Sequence, residues 1–259
     1  MQRNRRGCVK LVGAGPGAAD LLTIRALRAI EHADIVLVDA LVDADVRALI
    51  PAHVRVLDVG KRGHRASTPQ DFINRLLVRL AGGGANVVRL KGGDPSIFGR
   101  AAEERAFLEA RGVLVEIIPG VTTASAAAAQ FGFSLTERGA ARRVLFATGR
   151  TMSGAADDWK SAADRETTLC LYMGCADAAA IAMTLIQTGR ASNTPVALIA
   201  NVERPDVKLR RLSLTELAQS EWARDEDGPV MIIVGEVSAA ARHTLQCEER
   251  GAVRRAERA

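Results

Sequence analysis

Apolar runs rich in Val, Leu and Ile alternate with amphipathic segments along most of the chain. In the first half, each apolar run is followed by a segment of helical periodicity, which is the β-α-β pattern of a parallel sheet covered by helices. The pattern predicts strands over 8–12, 34–39, 54–59, 86–91 and 113–118. It predicts helices over 20–32, 43–50, 69–82, 99–111 and 121–131.

The strand rhythm restarts after Thr136 and predicts five more strands, over 143–148, 167–172, 195–200, 207–213 and 229–235. The segment 207–213 (VKLRRLS) alternates polar and apolar residues, which is typical of a half-exposed antiparallel strand. The second half is therefore predicted to contain a mixed sheet.

A break near 132–142, with Gly132, Gly139 and the run RGAARR, favours two α/β domains over one ten-stranded sheet. The N-terminal domain has a mainly parallel sheet and the C-terminal domain a mixed one, with an active-site cleft expected between them. The predicted boundaries are a basic N-terminal arm over 1–7, domains over 8–135 and 136–246, and a charged, disordered tail over 247–259.

Composition excludes a disordered chain and argues against a nucleic-acid partner. Apolar residues make up 48% of the 259 residues, and charged residues 25%. The net charge of +5 lies mostly at the two ends, so residues 7–247 carry only +1. Aromatic residues, which would stack on nucleic-acid bases, make up only 3%.

The sequence also predicts neither a membrane span nor a metal site. The longest uncharged stretch, 117–136, is interrupted by Pro119, Gly120 and Gly132. The N-terminus has basic residues before only a very short apolar run, so a secretory signal is not expected and the cytoplasm is. Four cysteines form no CxxC pair and four histidines lack ligand spacing, so no metal is implied.

The turn after the first strand, Gly13-Ala14-Gly15-Pro16-Gly17-Ala18, fits a relaxed dinucleotide fingerprint, and Asp39 ends the second strand where an acidic residue would hold a ribose. Taken alone, the pair suggests a dehydrogenase. However, the helical pattern begins only after Asp20, the expected N-cap. In the dinucleotide motif the helix begins within the glycines and directs its N-terminus at the pyrophosphate, which this sequence does not predict. A plain Gly-rich turn is the favoured interpretation, and the dehydrogenase stays an alternative.

Three further strand ends carry polar or glycine-rich turns: Gly92-Gly93-Asp94, Thr122-Thr123 and Met173-Gly174. Ligands of open α/β sheets bind at the carboxyl ends of the strands. Four such turns together favour a small-molecule site.

Seven motifs, in this order and spacing, resemble uroporphyrinogen-III C-methyltransferases, which belong to the tetrapyrrole methyltransferases: GAGPGAADLLT, VDALV, VGKRGH, VVRLKGGDPSIFGRAAEE, PGVTTAS, LTER and LYMG. The resemblance covers about 8–240. It implies a two-domain, homodimeric enzyme that binds S-adenosylmethionine in the interdomain cleft. It also implies methylation of uroporphyrinogen III at C2 and C7 to give precorrin-2, with S-adenosylhomocysteine as the other product.

The resemblance places the cofactor contacts on Pro16, Gly92, Gly93, Asp94, Ile97, Thr122, Thr123 and Met173. It places chemistry and substrate binding on Asp39, Lys61, Arg100, Glu103 and Arg138. This agrees in kind with the residues themselves, because a polycarboxylate substrate needs cations and Arg grips each carboxylate with two hydrogen bonds. Asp39 and Glu103 are the carboxylates placed to assist proton removal, and the sequence leaves open which of them does.

The chain departs from the family pattern at Ala40 (usually Arg), Ser96 (usually Phe), Glu137 (usually His) and Val202 (usually Gly). These departures keep two alternatives open. One is methylation of a later corrin precursor by a sister transferase, and the other is a non-catalytic tetrapyrrole-binding protein.

Overall fold

The computed structural model describes residues 7–60, 68–149, 159–220 and 228–242. Contacts divide the chain into two compact units between Thr123 and Ala124, and each unit contains one five-stranded sheet. The domain boundary at 135/136 and the cleft stay predictions. Lys61, the charged tail and most of the basic arm lie outside the described residues.

The first sheet is entirely parallel, as the β-α-β pattern predicts. Its strands follow the order β3-β2-β4-β1-β5. They are β1 (Cys8–Gly13), β2 (Ile35–Val38), β3 (Arg55–Asp58), β4 (Asn86–Lys91) and β5 (Leu114–Ile118). The order makes β4 and β1 central, so the carboxyl ends of β2, β4, β1 and β5 lie side by side.

Five helices follow these strands: α1 (Ile24–Glu31), α2 (Ala44–Ala48), α3 (Gln70–Gly82), α4 (Ala101–Glu109) and α5 (Thr123–Gln130). The prediction that the first helix is capped by Asp20 is wrong. Asp20 lies in a short 3-10 helix, Ala19–Leu21, and the cap of α1 is Thr23, whose hydroxyl accepts from the Ala26 N–H at 3.1 Å. That hydroxyl satisfies an N–H group of the first turn, so the α-helix begins later than the apolar pattern suggested.

Apolar side chains cover both faces of the first sheet. On one face Val36 and Leu90 pack with Ile30 of α1. On the other face Leu11 and Leu37 pack with Leu77 of α3 and residues of α4. Burial on both faces of the inner strands β1, β2 and β4 explains why they are mostly apolar in sequence.

The second sheet is mixed, as predicted, with the order β6-β7-β10-β8-β9. Only β6 and β7 pair in parallel, and the other three pairings are antiparallel. The strands are β6 (Arg143–Thr148), β7 (Thr167–Tyr172), β8 (Pro195–Ala200), β9 (Lys208–Ser213) and β10 (Val230–Val234). β9 is antiparallel and partly exposed, as its alternation indicated.

Helices of the second unit pack on its sheet: α6 (Lys160–Ala163), α7 (Ala178–Gln187) and α8 (Leu214–Gln219). Leu185 of α7 and Leu217 of α8 share one core with Leu169, Leu198 and Ile232 of the sheet. Across the described ranges, no helix is long and apolar enough to cross a membrane.

Candidate active site

The turns after β1 and β4 are tied together by their main chains. The Gly15 N–H donates to the Gly93 carbonyl at 3.2 Å, and the Gly93 N–H donates back to the Gly15 carbonyl at 2.7 Å. The Ala14 N–H also donates to the Lys91 carbonyl at 2.8 Å. The reciprocal bonds form an isolated antiparallel bridge just beyond the parallel pairing of β1 and β4, so two of the predicted ligand-binding turns form one continuous backbone surface.

The turn after β5 packs against the same surface without any side chain between. A Cβ on Gly120 would lie 2.4 Å from the Gly93 carbonyl oxygen and 2.9 Å from the Gly13 Cα. A Cβ on Gly13 would lie 2.5 Å from the Gly120 nitrogen. Gly13 and Gly120 therefore need glycine because backbone meets backbone there, whereas Gly93 needs it because its φ is 66°.

We expect Gly120→Ala to lower the free energy of unfolding by about 1–3 kcal/mol, because the added methyl group overpacks a contact made by rigid backbone. Urea denaturation measures the change. Gly82→Ala is the matched control, since a Cβ at the end of α3 would meet nothing within 4 Å. Equal stability of the Gly120→Ala variant and the wild type would contradict the close packing.

Asp94 links the turns after β4 and β5. Its Oδ2 accepts from the Gly120 N–H at 3.0 Å, and its Oδ1 accepts from the Ser96 N–H at 2.7 Å and from the Ser96 hydroxyl. The carboxylate thus holds the turn as well as offering its remaining lone pairs to a ligand. Ser96, where the family usually has Phe, contributes to this hydrogen bonding.

The structure brings most of the predicted cofactor contacts of the first unit to this edge. Gly92, Gly93, Asp94, Ile97, Thr122 and Thr123 are half-buried, and Pro16 is buried. Gly92 also abuts the loop after β2, since a Cβ there would lie 2.8 Å from the Leu41 Cβ. The turn carrying Asp39 is therefore next to the turn carrying Gly92.

Asp39 lies at the end of β2 with both carboxylate oxygens bound. Oδ1 accepts from the Ala40 N–H at 2.7 Å, and Oδ2 accepts from Arg89 Nη2 at 3.0 Å. Gly60, immediately before Lys61 in sequence, packs on the same loop, since a Cβ there would lie 2.0 Å from the Ala40 nitrogen.

Arg100 and Glu103 form an ion pair at the start of α4. Arg100 Nη2 donates to Glu103 Oε2 at 2.6 Å, and each side chain is about half exposed. This hydrogen bond raises the pKa of Arg100 and lowers the pKa of the Glu103 carboxyl. Arg100 has a left-handed backbone, with φ of 57°, a conformation that costs a side-chain-bearing residue about 1–2 kcal/mol.

A buried ionic cluster lies behind this edge, and the sequence interpretation missed it. Arg89 and Lys91 of β4 are 2% and 4% exposed, and Glu104 of α4 is fully buried. Glu104 Oε1 accepts from Lys91 Nζ at 2.9 Å and from Gln70 Nε2 at 2.8 Å, and it lies 3.6 Å from Arg89 Nε. Burial lowers the pKa of Lys91, and the carboxylate of Glu104 opposes that shift.

One sequence signal could have indicated this cluster. The strand NVVRLK places two cations two residues apart within an otherwise apolar run, so both side chains point to the same face of the sheet. A central parallel strand is buried on both faces, so these charges require a buried partner. Nothing in the local sequence shows that Glu104, rather than Glu103, is that partner.

In the second unit, the end of β7 carries Met173, which is 48% exposed and has φ of 52°. Gly174 follows it and packs on Gly149 at the end of β6, where a Cβ would lie 2.6 Å from the Gly174 Cα. Arg138 is exposed in the loop before β6. The described ranges contain no cluster of His, Cys, Asp and Glu that could hold a metal ion.

Comparison with known proteins identifies the family. The pattern of the tetrapyrrole (corrin/porphyrin) methylases matches residues 9–218. The chain belongs to this family. The resemblance stated from the seven motifs is therefore confirmed.

Uroporphyrinogen-III C-methyltransferase of Paracoccus denitrificans (strain Pd 1222) is 44% identical over 237 residues, which are 91% of this methylase and 83% of that relative. Two solved structures share the fold. Uroporphyrin-III C-methyltransferase from Thermus thermophilus, in complex with S-adenyl homocysteine, has a TM-score of 0.78 and 39% identity over 90% of this chain and 99% of that one. A cobalt precorrin-4 methyltransferase has a TM-score of 0.80 and 26% identity, and the match covers 92% of this chain and 98% of that one.

The four departures from the family pattern occupy different environments in this methylase. Ala40, Ser96 and Glu137 are exposed. Val202 is 2% exposed and follows Asn201, which has a left-handed backbone. The side chain of Val202 therefore belongs to the core of the second unit, and only the other three departures present side chains at the surface.

Proposed function

We propose that this methylase transfers methyl groups from S-adenosylmethionine to C2 and C7 of uroporphyrinogen III, giving precorrin-2 and S-adenosylhomocysteine. The observation that carries the proposal is the 44% identity to a uroporphyrinogen-III C-methyltransferase over 91% of the chain. The solved relative that holds S-adenyl homocysteine supports the choice of donor.

The residues at the carboxyl edge of the first sheet fit the donor. Gly92 and Gly93 expose main chain without side chains, so the adenosine can lie directly against the backbone. Asp94, Thr122 and Thr123 supply oxygens for its hydroxyl and amino groups. We also propose that Pro16 and Ile97 contact the donor, and that Met173 of the second unit contributes its thioether.

The bound donor supplies a methyl group already activated on a sulfonium, so the chain has to position the substrate and remove one proton. We propose that Lys61, Arg100 and Arg138 bind the carboxylates of the tetrapyrrole. The two candidate proton acceptors are the carboxylates of Asp39 and Glu103. Arg100 lowers the pKa of Glu103, and Asp39 is itself paired with Arg89 at 3.0 Å, so both carboxylates stay candidates for the proton acceptor.

We further propose that the enzyme acts as a cytoplasmic homodimer on a small-molecule substrate alone, with no nucleic-acid or membrane partner and no metal. The dimer rests on the family resemblance. The exclusion of nucleic acid rests on the charge of only +1 over residues 7–247 and on the scarcity of aromatic residues.

The test is a mass spectrum of the tetrapyrrole after incubation with the donor and enzymatically prepared uroporphyrinogen III. We expect two added methyl groups, and none when the donor is omitted. An unmodified tetrapyrrole from a folded protein would reject the proposal and favour the non-catalytic tetrapyrrole-binding protein.

A second candidate is methylation of a later corrin precursor. It is supported by the fold shared with a cobalt precorrin-4 methyltransferase and by the exposed departures Ala40 and Ser96. It predicts transfer of one methyl group to precorrin-type intermediates and slow turnover of uroporphyrinogen III. Efficient double methylation of uroporphyrinogen III would exclude it.

A further inference from the structure

The buried cluster of Arg89, Lys91 and Glu104, behind the carboxyl edge of the first sheet, has an excess of positive charge unless Asp39 is counted with it. Arg89 and Lys91 contribute two buried cations, and Glu104 contributes one buried anion. Two cations opposite one anion in a low-dielectric interior are costly, so a second anion is needed within contact distance. Asp39 meets this need, because its Oδ2 lies 3.0 Å from Arg89 Nη2.

Arg89 is the group that connects the buried cluster to the surface. Its guanidinium has Nε 3.6 Å from Glu104 Oε1 on one side and Nη2 bound to Asp39 on the other. The side chain of Arg89 is 3% exposed, whereas that of Asp39 is 33% exposed. A planar guanidinium with several fixed donors can make both contacts at once, which a lysine ammonium cannot do in the same geometry.

The contacts of Asp39 fix the plane of its carboxylate. One oxygen is bound by the main chain at Ala40 and the other by Arg89. The backbone of Asp39 is also held, because its N–H donates to the Leu90 carbonyl at 3.1 Å. The exposed third of the side chain keeps lone pairs for a donor on the substrate, in an orientation that needs no rearrangement.

We propose that Arg89 is a positioning residue for methyl transfer, in which its buried guanidinium, held by Glu104 of α4, orients the Asp39 carboxylate toward the tetrapyrrole. The proposal rests on the proposed function and adds a residue that touches neither donor nor substrate. Lys91 and Gln70 share the same Glu104 oxygen but make no contact with Asp39 among the described hydrogen bonds and ion pairs. Arg89 therefore differs from Lys91 and Gln70 in contacting the Asp39 carboxylate and fixing its orientation.

The kinetic test compares Arg89→Lys with Gln70→Leu in the full-length chain. Arg89→Lys keeps the buried positive charge but loses the planar guanidinium with its several donors. Gln70→Leu removes the hydrogen bond that a neutral amide donates to Glu104. We expect Arg89→Lys to lower kcat about 10- to 100-fold, as small misplacements of reacting groups do, with the donor KM little changed. Gln70→Leu is expected to keep kcat within about twofold of the wild type. Equal kcat per folded protein in both variants would overturn the proposal.

A double variant separates positioning from simple stabilisation. If Arg89 acts through Asp39, adding Arg89→Lys to Asp39→Ala lowers kcat no further, because the two changes remove one interaction. If the double variant instead lowered kcat by the product of the two single effects, Arg89 would act independently of Asp39, which contradicts the inference.

An activity-independent measurement keeps the inference testable if Arg89→Lys does not fold or if the wild type transfers no methyl group. The Nη resonances of Arg89 in nitrogen-15 NMR spectra are expected to be resolved in the wild type, because Nη2 donates to Asp39 and Nη1 to the Leu90 carbonyl, which restricts rotation of the guanidinium. They are expected to collapse in Asp39→Ala, which removes the acceptor oxygen of Nη2. Unchanged resonances would overturn the inference, whereas a wild type without turnover would reject the proposed function alone.

Discussion

Glu104→Ala is expected to lower the free energy of unfolding by about 3–5 kcal/mol, because it leaves two cations in the interior of the first unit without their shared anion. Glu104 is fully buried, and its Oε1 accepts from both Lys91 and Gln70. Arg89 and Lys91 are themselves almost entirely buried, so their charges cannot be solvated in the folded chain once the carboxylate is gone. Denaturant unfolding of the wild type and the variant at neutral pH measures the loss.

Glu109→Ala is the matched control for this experiment. Glu109 lies in the same helix and also pairs with a cation, Arg105, at 2.7 Å, but both side chains are about half exposed. Such a surface pair contributes at most about 1 kcal/mol. A loss in Glu104→Ala no larger than that in Glu109→Ala would show that the cluster does not stabilise the fold.

The loss of unfolding free energy in Glu104→Ala is also expected to become smaller as the pH rises. Burial already holds the pKa of Lys91 below the ordinary value of 10.5, and Glu104 opposes that shift. Without Glu104 the pKa of Lys91 in the folded chain falls further, so the unfolded chain binds more protons over the interval up to 10.5. The stability of the variant should therefore rise toward that of the wild type as the pH approaches 10.5, and a deficit that grows with pH would contradict this.

Arg100→Ala is expected to lower the turnover of uroporphyrinogen III by at least about 100-fold while leaving the chain folded. Arg100 presents a half-exposed guanidinium at the start of α4 and has a left-handed backbone that its neighbours maintain. Its ion pair with Glu103 is exposed, so its loss costs at most about 1 kcal/mol of stability. Steady-state kinetics with a thermal melt of each protein separates the two effects.

Arg105→Ala is the control for Arg100→Ala. It removes an exposed arginine of α4 that is also paired with a carboxylate of that helix but that is not among the predicted site residues. Turnover close to that of the wild type is expected for Arg105→Ala. Near-normal turnover of Arg100→Ala would show that the substrate site has been misplaced.

The sequence predicted the fold well because most of its strands are apolar runs separated by helical patterns. All ten predicted strands are present, and the polar alternation of 207–213 correctly indicated an antiparallel strand. Helix starts were less predictable. The first apolar position after Asp20 suggested a cap there, but the choice between Asp20 and Thr23 depends on which side chain reaches a free N–H group, as Thr23 does with Ala26.

The site was predictable where a turn has a distinctive sequence and not where it depends on tertiary contacts. The glycines at 13, 93 and 120 are visible in the sequence, and the structure shows that they pack on one another. The partnership of Arg89 with Asp39 joins residues fifty positions apart, and the choice of Glu104 over its neighbour Glu103 depends on the rotation of α4. Neither can be read from local spacing.

The most direct test of the central claim is a crystal structure of the chain with S-adenosylhomocysteine. We expect the ligand to lie against the backbone of Gly92 and Gly93, with Asp94 and Thr122 in contact. A ligand bound elsewhere, with these turns uncovered, would contradict it.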